Sequence, residues 1–415
     1  MSNSGLDVHA LIAEGRIRSV YQPIVDLSDG SVVGYESLAR GPEGSQLEMP
    51  DALFAAAASA GITGDLDRFC RKRAIEGALE GAVLPPLTLF INIEPSTLRG
   101  SDPLLTHLPE IGAGRLRVIA EFTERALASR PAEAVSAVQW LRRRGCGIAL
   151  DDLGTDPRSL ALLPFLSPDV VKLDISLLQE QRTSRETAHV VMSVGAEAER
   201  RGTAILAEGI ENEEHLMRAQ AMGATLGQGF LFGRPGELPQ PMPPPRPVAV
   251  PFRDKPTSPG ETPFHRVAGE RQLRRGDKRL LLALSRQLET EAEVLGKETV
   301  VLSTFQDVRF FSEQTRRRYE RLGGSSALVG AIGLGIPPHP AEGVRGANLD
   351  AADPLRGEWN VIVISPNFAG AFVARDLGDT GPDPERRFDF FLTYDRELVR
   401  SAAVPLLARI LPDEV

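Results

Sequence analysis

The stretch "GIALDDLGTD" at residues 147–156 runs from apolar and small residues directly into two aspartates and a glycine. A short apolar run of this kind is typical of a buried β-strand, and the change to charge marks its end. Taken alone, Asp151 and Asp152 suit a solvated turn or a helix cap, because aspartate favours both. The neighbouring segments therefore decide between a turn and a functional pair.

The first part of the chain alternates short apolar, β-branched runs with helical segments rich in Ala, Leu, Glu and Arg. The runs include "GSVVGYES", "LTLFINIEP", "RLRVIAEFTE", "DVVKLD", "TAILAEGIE" and "ATLGQGFLFG". Strands that alternate with helices predict an α/β fold with a mostly parallel sheet, open or closed into a barrel. No GxGxxG motif follows the first strand, which disfavours a dinucleotide-binding open sheet.

Polar side chains stand where the apolar runs end, a position more often held by Gly, Pro or Ser. The residues at these ends are Glu36, Asn92, Glu121, Asp151, Asp152, Lys172, Glu208 and Gln228. In a parallel barrel the carboxyl ends of the strands converge on one face, where active sites are built. We therefore expect these side chains to meet at a single site.

Several carboxylates in one pocket need compensation, because neighbouring like charges raise one another's pKa. Divalent cations supply it, and oxygen ligands without His or Cys favour Mg²⁺ or Mn²⁺ over Zn²⁺. At a strand end that turns, Asp151 and Asp152 can reach two metals, one as a bridging ligand. Two divalent cations beside Lys172 suit hydrolysis of a phosphate ester, although a salt bridge from Lys172 to Asp174 is an alternative.

The composition sets the limits of this interpretation. A chain of 415 residues with a net charge of −9 has room for two domains and does not favour nucleic acid as a partner. Eleven prolines between Pro235 and Pro263 predict an extended linker.

Cys70 and Cys146 are expected to be buried thiols. No secretory leader or membrane-spanning run is visible, so we expect a cytoplasmic protein without membrane insertion.

The ordered motifs from "YQPIVDLSDGSVVGYESLAR" through "FINIEPSTL", "IAEFTER", "GIALDDLGT", "DVVKLD" and "AEGIENEEHL" to "GQGFLFGRP" resemble those of the EAL-domain family. These are bacterial phosphodiesterases of cyclic di-GMP, and the resemblance covers about residues 10–236. It implies a barrel like the (β/α)₈ fold that hydrolyses cyclic di-GMP to linear pGpG with Mg²⁺ or Mn²⁺. It also implies a homodimer.

The resemblance assigns roles to individual residues. One metal would be held by Glu36, Asn92, Glu121 and Asp151, and the second by Asp151, Asp152 and Glu208. Lys172 would position the nucleophilic water, with Glu208 and Glu211 also counted in the catalytic set and Glu211 bracing the loop after the aspartates. The ligand groove would be formed by Gln22, Arg40, Asp174 and Gln228, with Arg40 suited to a phosphate.

Two departures from the family pattern are visible. Ser37 replaces the alanine of the name-giving triplet, where the liganding glutamate is kept. After the aspartates, Leu153, Asp156, Pro157 and Arg158 stand where the family has Phe, Gly, Tyr and Ser. Because Pro157 biases the preceding residue towards extended backbone, we expect this loop to alter metal affinity or coupling.

The C-terminal part resembles the DICT domain, a sensory module of bacterial signalling proteins, in segments such as "VVLSTFQDVRFFSEQTRRRYERLGG" and "RRFDFFLTYDRELV". Its pattern predicts a small α+β domain with helices at about 278–296, 312–322 and 395–410. The expected domains are thus a barrel at 1–236, a linker at 237–265 and a sensory domain at 266–415.

Two functions follow from these patterns. The first is a metal-dependent phosphodiesterase whose activity the C-terminal domain modulates. The alternative, motivated by the altered loop, is a catalytically weak receptor that signals by binding cyclic di-GMP. An interaction scaffold that does neither is a third interpretation. The ligand of the C-terminal domain is not indicated by the sequence.

Overall fold

The structure, a computed structural model, describes residues 7–98, 114–123, 131–153, 160–174, 176, 185–242, 250, 252 and 262–410. The loop predicted to be altered at Asp156, Pro157 and Arg158 lies outside these residues. By its internal contacts the chain divides into two compact units, of which one contains a barrel and the other a seven-stranded sheet. Each unit is described by itself below.

The first unit is built on a closed barrel of eight strands, which confirms the predicted fold. Strands β2 to β8 pair in parallel, whereas β1 is antiparallel to both β2 and β8. This reversal of β1 was not predicted. The strands are β1 (Arg18–Asp26), β2 (Val32–Arg40), β3 (Thr88–Asn92), β4 (Arg117–Thr123), β5 (Gly147–Leu153), β6 (Val170–Leu173), β7 (Ala204–Ala207) and β8 (Leu226–Gln228).

Helices alternate with these strands along the chain, in line with the predicted α/β pattern. Side-chain caps fix two of their starts: Asp7 accepts a hydrogen bond from the backbone N–H of His9, and Asn212 from that of His215. The helices are α1 (Val8–Ala13), α2 (Pro50–Ser59), α3 (Thr63–Glu80), α4 (Pro131–Arg142), α5 (Leu163–Leu166), α6 (Arg185–Arg201) and α7 (Glu213–Ala221).

One apolar cluster is formed by one residue from each of the eight barrel strands, together with Val250. Its buried members are Ile24, Val33, Phe90, Ile119, Ala149, Val170, Leu206, Leu226 and Val250. These side chains precede the polar strand ends in β2 to β7, so the interior is apolar at one end and charged at the other. The apolar end excludes water and holds the strands that carry the polar residues.

Val250 belongs to that cluster although it lies in the predicted Pro-rich linker. Its side chain is only 3% exposed, and its carbonyl accepts a hydrogen bond from Nη2 of Arg117. The guanidinium of Arg117 also lies 4.1 Å from the ring centroid of Phe252. The chain after the barrel is therefore fastened to it at these two residues, and the linker limits at 237–265 stay a prediction.

The second unit contains a sheet in the strand order β12-β11-β10-β13-β14-β15-β9. Pairs β10–β11 and β11–β12 are parallel, and the other pairs are antiparallel. The strands are β9 (Arg274–Asp277), β10 (Val300–Asp307), β11 (Leu328–Leu334), β12 (Val344–Asn348), β13 (Glu358–Ile364), β14 (Ala369–Asp376) and β15 (Arg387–Thr393). The apolar runs "VVLSTF", "ALVGAIG", "WNVIVIS", "AFVAR" and "FDFFLTY" predict β10, β11, β13, β14 and β15, whereas β9 and β12 were not predicted.

Helices complete the predicted α+β architecture of this unit. They are α8 (Pro263–Val267), α9 (Lys278–Leu295), α10 (Glu313–Ser325) and α11 (Arg396–Leu407). Leu281 and Leu288 of α9 pack with Tyr319 of α10 against alternate residues of the sheet. The three predicted helices correspond to α9, α10 and α11, and the short α8 was missed.

Both cysteines are free thiols, but only Cys146 is buried as predicted, and Cys70 is half-buried. Burial raises the pKa of each thiol to about 12, so both stay protonated at neutral pH. Among the helices that the structure describes, none has the length and apolar character needed to cross a membrane.

The packing of Val250 predicts that shortening its side chain destabilises the barrel. Val250→Ala should lower the free energy of unfolding by about 1 to 3 kcal/mol, because it removes buried methyl groups and leaves a cavity. Urea denaturation followed by circular dichroism measures the change. Val294→Ala is the matched control, since Val294 is 79% exposed on α9. Equal stability of the two variants would contradict the anchoring of the linker.

Candidate metal centre at the barrel mouth

The centre of the site is the ammonium of Lys172, whose side chain is 1% exposed at the end of β6. Its Nζ lies 2.8 Å from Oε1 of Glu208, 2.9 Å from Oδ1 of Asp151 and 3.0 Å from Oε1 of Glu121. Oε1 of Glu36 is 3.6 Å away. One buried cation therefore faces four carboxylates from four other strand ends.

This concentration of charge shifts the pKa values of the group. Burial alone would lower the pKa of Lys172, but Asp151, Glu121 and Glu208 hold it well above its ordinary value, so the ammonium stays charged. Burial and the charge of Glu36 raise the pKa of Glu121 well above its ordinary value. Burial, with Asp151 and Glu36, also raises the pKa of Glu208 to about 8. Without further cations, the pocket therefore favours protonated carboxyl groups.

Glu36 behaves differently because amide groups surround it. Burial raises the pKa of its carboxyl, but Lys172 and the hydrogen bonds to its oxygens outweigh that effect and lower it. Nε2 of Gln228 donates to Oε2 at 2.7 Å, and Nδ2 of Asn92 donates to Oε1 at 3.3 Å. Nε2 of Gln228 also lies 3.1 Å from Oε1 of Gln22. Glu36 is thus held ionised and in a fixed orientation.

Asp151 and Asp152 reach the same mouth because the backbone is irregular at this point. The pairing of β5 with β6 shifts register between Leu150 and Leu153, and Asp152 has a φ of 56°. In a regular strand two successive side chains would point to opposite faces. The bulge and the left-handed residue remove that alternation, and the backbone strain they involve is typical of functional sites.

The carboxylates form two overlapping groups that share Asp151. Oxygen atoms of Glu36, Glu121 and Asp151 lie within 4.8 Å of one another, as do those of Asp151, Asp152 and Glu208. Neither oxygen of Glu121 has a hydrogen-bond partner of good geometry among the described residues, although both are buried. Oε1 of Glu121 shares the ammonium of Lys172 with three other carboxylates, so one positive charge faces four acidic groups. Such a set of oxygen ligands fits hard divalent cations such as Mg²⁺ or Mn²⁺.

The remaining predicted residues, Arg40, Asp174 and Glu211, make local contacts of their own. Nη1 of Arg40, at the end of β2, donates to the carbonyl of Ala39 at 2.8 Å, and the side chain is half-buried. Asp174 follows β6, and its Oδ1 accepts from the backbone N–H of Ser176 at 2.8 Å. Glu211 is exposed after β7. The loop that Glu211 was predicted to brace lies outside the described residues.

A cavity of about 450 Å³ opens beside the cluster and is lined by residues that the sequence analysis missed. Arg71 of α3 is 1% exposed; it pairs with Asp67 and donates to Oγ1 of Thr97 at 3.1 Å. Burial raises the pKa of Asp67 despite this pairing. In the sequence Asp67 and Arg71 have the spacing of an ordinary surface ion pair on a helix, so only the fold identifies them.

The class defined by this fold and site is a closed-barrel protein with a candidate divalent-cation centre at its mouth, built from a buried lysine and two overlapping carboxylate groups. Residues 7–235 match the family model of the EAL domain, and the chain belongs to this family. Residues 265–377 match the model described as "Sensory domain in DIguanylate Cyclases and Two-component system", the DICT domain. Both predicted resemblances are thereby confirmed.

Individual relatives match the barrel part of the chain. The cyclic di-GMP phosphodiesterase RocR of Pseudomonas aeruginosa is 32% identical over 237 residues, which are 55% of this chain and 60% of RocR. An uncharacterized protein y4lL of Sinorhizobium fredii is 29% identical over 231 residues, 55% of this chain and 28% of y4lL. The chain thus covers less than two thirds of either relative.

Among solved structures, the manganese and cyclic di-GMP complex of Klebsiella pneumoniae BlrP1 is 29% identical to this chain. The match has a TM-score of 0.47 and covers 53% of this chain and 56% of BlrP1.

The position of Lys172 predicts a large effect of removing its charge in the absence of divalent cations. In EDTA, Lys172→Met should lower the free energy of unfolding by about 3 to 5 kcal/mol, because buried carboxylates lose their counter-charge. The measurement is urea denaturation at pH 8. Lys72→Met is the control, because the side chain of Lys72 is 53% exposed and its ion pair with Glu76 is 3.8 Å long. This substitution should change the free energy of unfolding by less than about 1 kcal/mol. A Lys172→Met protein as stable as the control would exclude this charge arrangement.

Proposed function

We propose that this chain is a metal-dependent phosphodiesterase that hydrolyses cyclic di-GMP to linear pGpG. The observation that carries the proposal is the pair of carboxylate groups joined at Asp151 and centred on a buried lysine. Membership of the EAL family and the relatives named as cyclic di-GMP phosphodiesterases, RocR and NbdA of Pseudomonas aeruginosa, support the substrate.

The proposed site assigns the carboxylates to two divalent cations, Mg²⁺ or Mn²⁺. Asp151 is shared between the two sets of ligands, which are Glu36, Asn92, Glu121 and Asp151 for one cation and Asp151, Asp152 and Glu208 for the other. Bound cations would lower the pKa of water and stabilise charge on the phosphoryl oxygens. Asn92 lies beside Glu36 and adds a neutral oxygen ligand to its carboxylate set.

Lys172 positions the nucleophilic water and keeps a fixed positive charge beside the reacting phosphate in this proposal. Its charge is secured by the surrounding carboxylates, and its burial keeps the ammonium from exchanging partners with bulk solvent. Because the ammonium is fixed before the substrate arrives, little reorganisation is needed during the reaction.

We assign Gln22, Arg40, Asp174 and Gln228 to the ligand groove, with Arg40 as the donor to a phosphate oxygen. Gln228 links this groove to the metal ligands, because one amide nitrogen contacts both Gln22 and Glu36. Glu211 braces the loop that follows the aspartates. We further propose that the DICT domain modulates the reaction, and that the enzyme acts as a homodimer in the cytoplasm.

The activity itself is tested with the purified chain, cyclic di-GMP and Mn²⁺, with pGpG measured by chromatography. Glu36→Gln should lower kcat at least about a hundredfold, since changing groups that merely orient metal ligands already costs about 10- to 100-fold. Circular dichroism should show an unchanged fold, because the substitution keeps the shape of the side chain.

Glu199→Gln is the matched control, because it makes the same chemical change as Glu36→Gln at a residue that is exposed on α6. It should leave kcat within about twofold. If the wild-type protein binds cyclic di-GMP in the presence of Mn²⁺ but produces no pGpG, it is a receptor and the proposed enzymatic activity is refuted. Unchanged turnover in Glu36→Gln would refute the assignment of the metal ligands.

A further inference from the structure

A second cavity, of about 250 Å³, lies within the sheet unit and has no role in the proposed hydrolysis. It is bordered by α9, the end of β10, the start of α10 and residues of β13 and β15. Its volume is below the range of about 300–1,000 Å³ that is common for pockets of drug-sized ligands. A cyclic dinucleotide is therefore too large for it, and a compound of one or two fused rings is the appropriate size.

Aromatic side chains line this cavity and are held by contacts with one another. They are Phe305, Phe310, Trp359 and Phe388. The ring of Trp359 lies edge-on to that of Phe388 with centroids 5.8 Å apart, and Phe305 lies edge-on to Tyr319 at 5.2 Å. These edge-to-face contacts fix the rings before any ligand binds. The cavity therefore offers a preformed apolar wall suited to a flat ring.

Four of the charged residues that line the cavity already form ion pairs with one another. The side chain of Glu289 is 5% exposed; it accepts a hydrogen bond from the hydroxyl of Tyr319 at 2.9 Å and pairs with Arg318. At the other side, Nζ of Lys278 lies 2.6 Å from Oδ2 of Asp383. Within each ion pair the two opposite charges neutralise each other, so neither carboxylate is available to attract a cation.

Arg286 is the remaining positively charged residue of the lining, besides the paired Lys278 and Arg318. It lines the cavity from α9, is exposed, and its guanidinium has no ion-pair or hydrogen-bond partner among the residues that the structure describes. Aromatic walls also suit cationic ligands. Here, however, Nζ of Lys278 already lies 4.7 Å from the ring centroid of Phe310, and the charged groups carry an excess of positive charge. The lining therefore favours an anion.

Gln306 gives the cavity a further polar group through an irregular backbone. Its φ is 59°, and the pairing of β10 with β11 shifts register between Thr304 and Asp307. A bulge of this kind redirects a side chain, and strained backbone occurs frequently at ligand sites. Gln306 is thereby placed among the lining residues, and Ser285 of α9 is a further polar member of the lining.

We propose that this cavity binds a small planar aromatic anion. The ring lies against Phe305 and Trp359, and the anionic group meets Arg286 at the opening. The proposal is independent of cyclic di-GMP hydrolysis, because none of the residues of the barrel takes part. It gives the sensory module a class of ligand that differs from the nucleotide in both size and shape.

The test uses three probes that share one ring system and differ in charge: naphthoate, naphthalenemethanol and naphthylmethyl trimethylammonium. Isothermal titration of the full chain, without nucleotide, should show naphthoate binding at least about tenfold more tightly than the neutral alcohol, and the cation more weakly still. Equal affinities for the three probes, or no binding of naphthoate at millimolar concentration, would overturn the proposal.

Two variants place the binding in this cavity. Arg286→Gln should weaken naphthoate binding about tenfold. Arg274→Gln, the matched control at an exposed arginine on β9, should leave it unchanged. Ser285→Leu fills the cavity from α9 and should abolish binding while circular dichroism and thermal unfolding show a folded protein. If Ser285→Leu does not fold, the comparison of Arg286→Gln with Arg274→Gln still tests the site. Equal naphthoate affinity of these two variants would refute it.

Discussion

The ion pairing of Lys172 is the interaction on which the barrel mouth depends. A single ammonium, almost without exposure, lies within 3.6 Å of oxygens from four carboxylates. It can neutralise one negative charge, so the remaining groups must take up protons or cations. The raised pKa values of Glu121 and Glu208 correspond to the uptake of protons, and bound divalent cations would provide the alternative. The excess of negative charge at the barrel mouth therefore favours cation binding by itself.

The composition of this site was predictable, because each polar residue ends an apolar run and parallel strands bring their ends together. Its detailed geometry was not. The left-handed backbone at Asp152, together with the register shift before Leu153, places adjacent side chains at one mouth, and no residue type in "GIALDD" reveals this. Likewise, Asp67 and Arg71 become a buried pair only through the packing of α3.

The fold shows the same division between local and tertiary information. Helices α9, α10 and α11 could be read from their amphipathic spacing, and each starts at a side-chain cap, namely Asp277, Ser312 and Asp395. Strand β9 was missed because its residues are charged and largely exposed, so it has no apolar pattern. The antiparallel direction of β1 and the burial of Val250 depend on distant partners and leave no local signal.

The cavity at the barrel mouth and the cavity in the sheet unit differ in the sign of their excess charge as well as in size. The barrel mouth, beside a cavity of about 450 Å³, is rich in carboxylates around one lysine, whereas the cavity of about 250 Å³ in the sheet unit has an uncompensated arginine. Under the two proposals, divalent cations and cyclic di-GMP would bind at the first cavity, and a small aromatic anion would bind in the second. The two ligands therefore do not compete for a site. Any effect of one on the other must arise from different affinities for two states of the chain, and such an effect on binding is reciprocal.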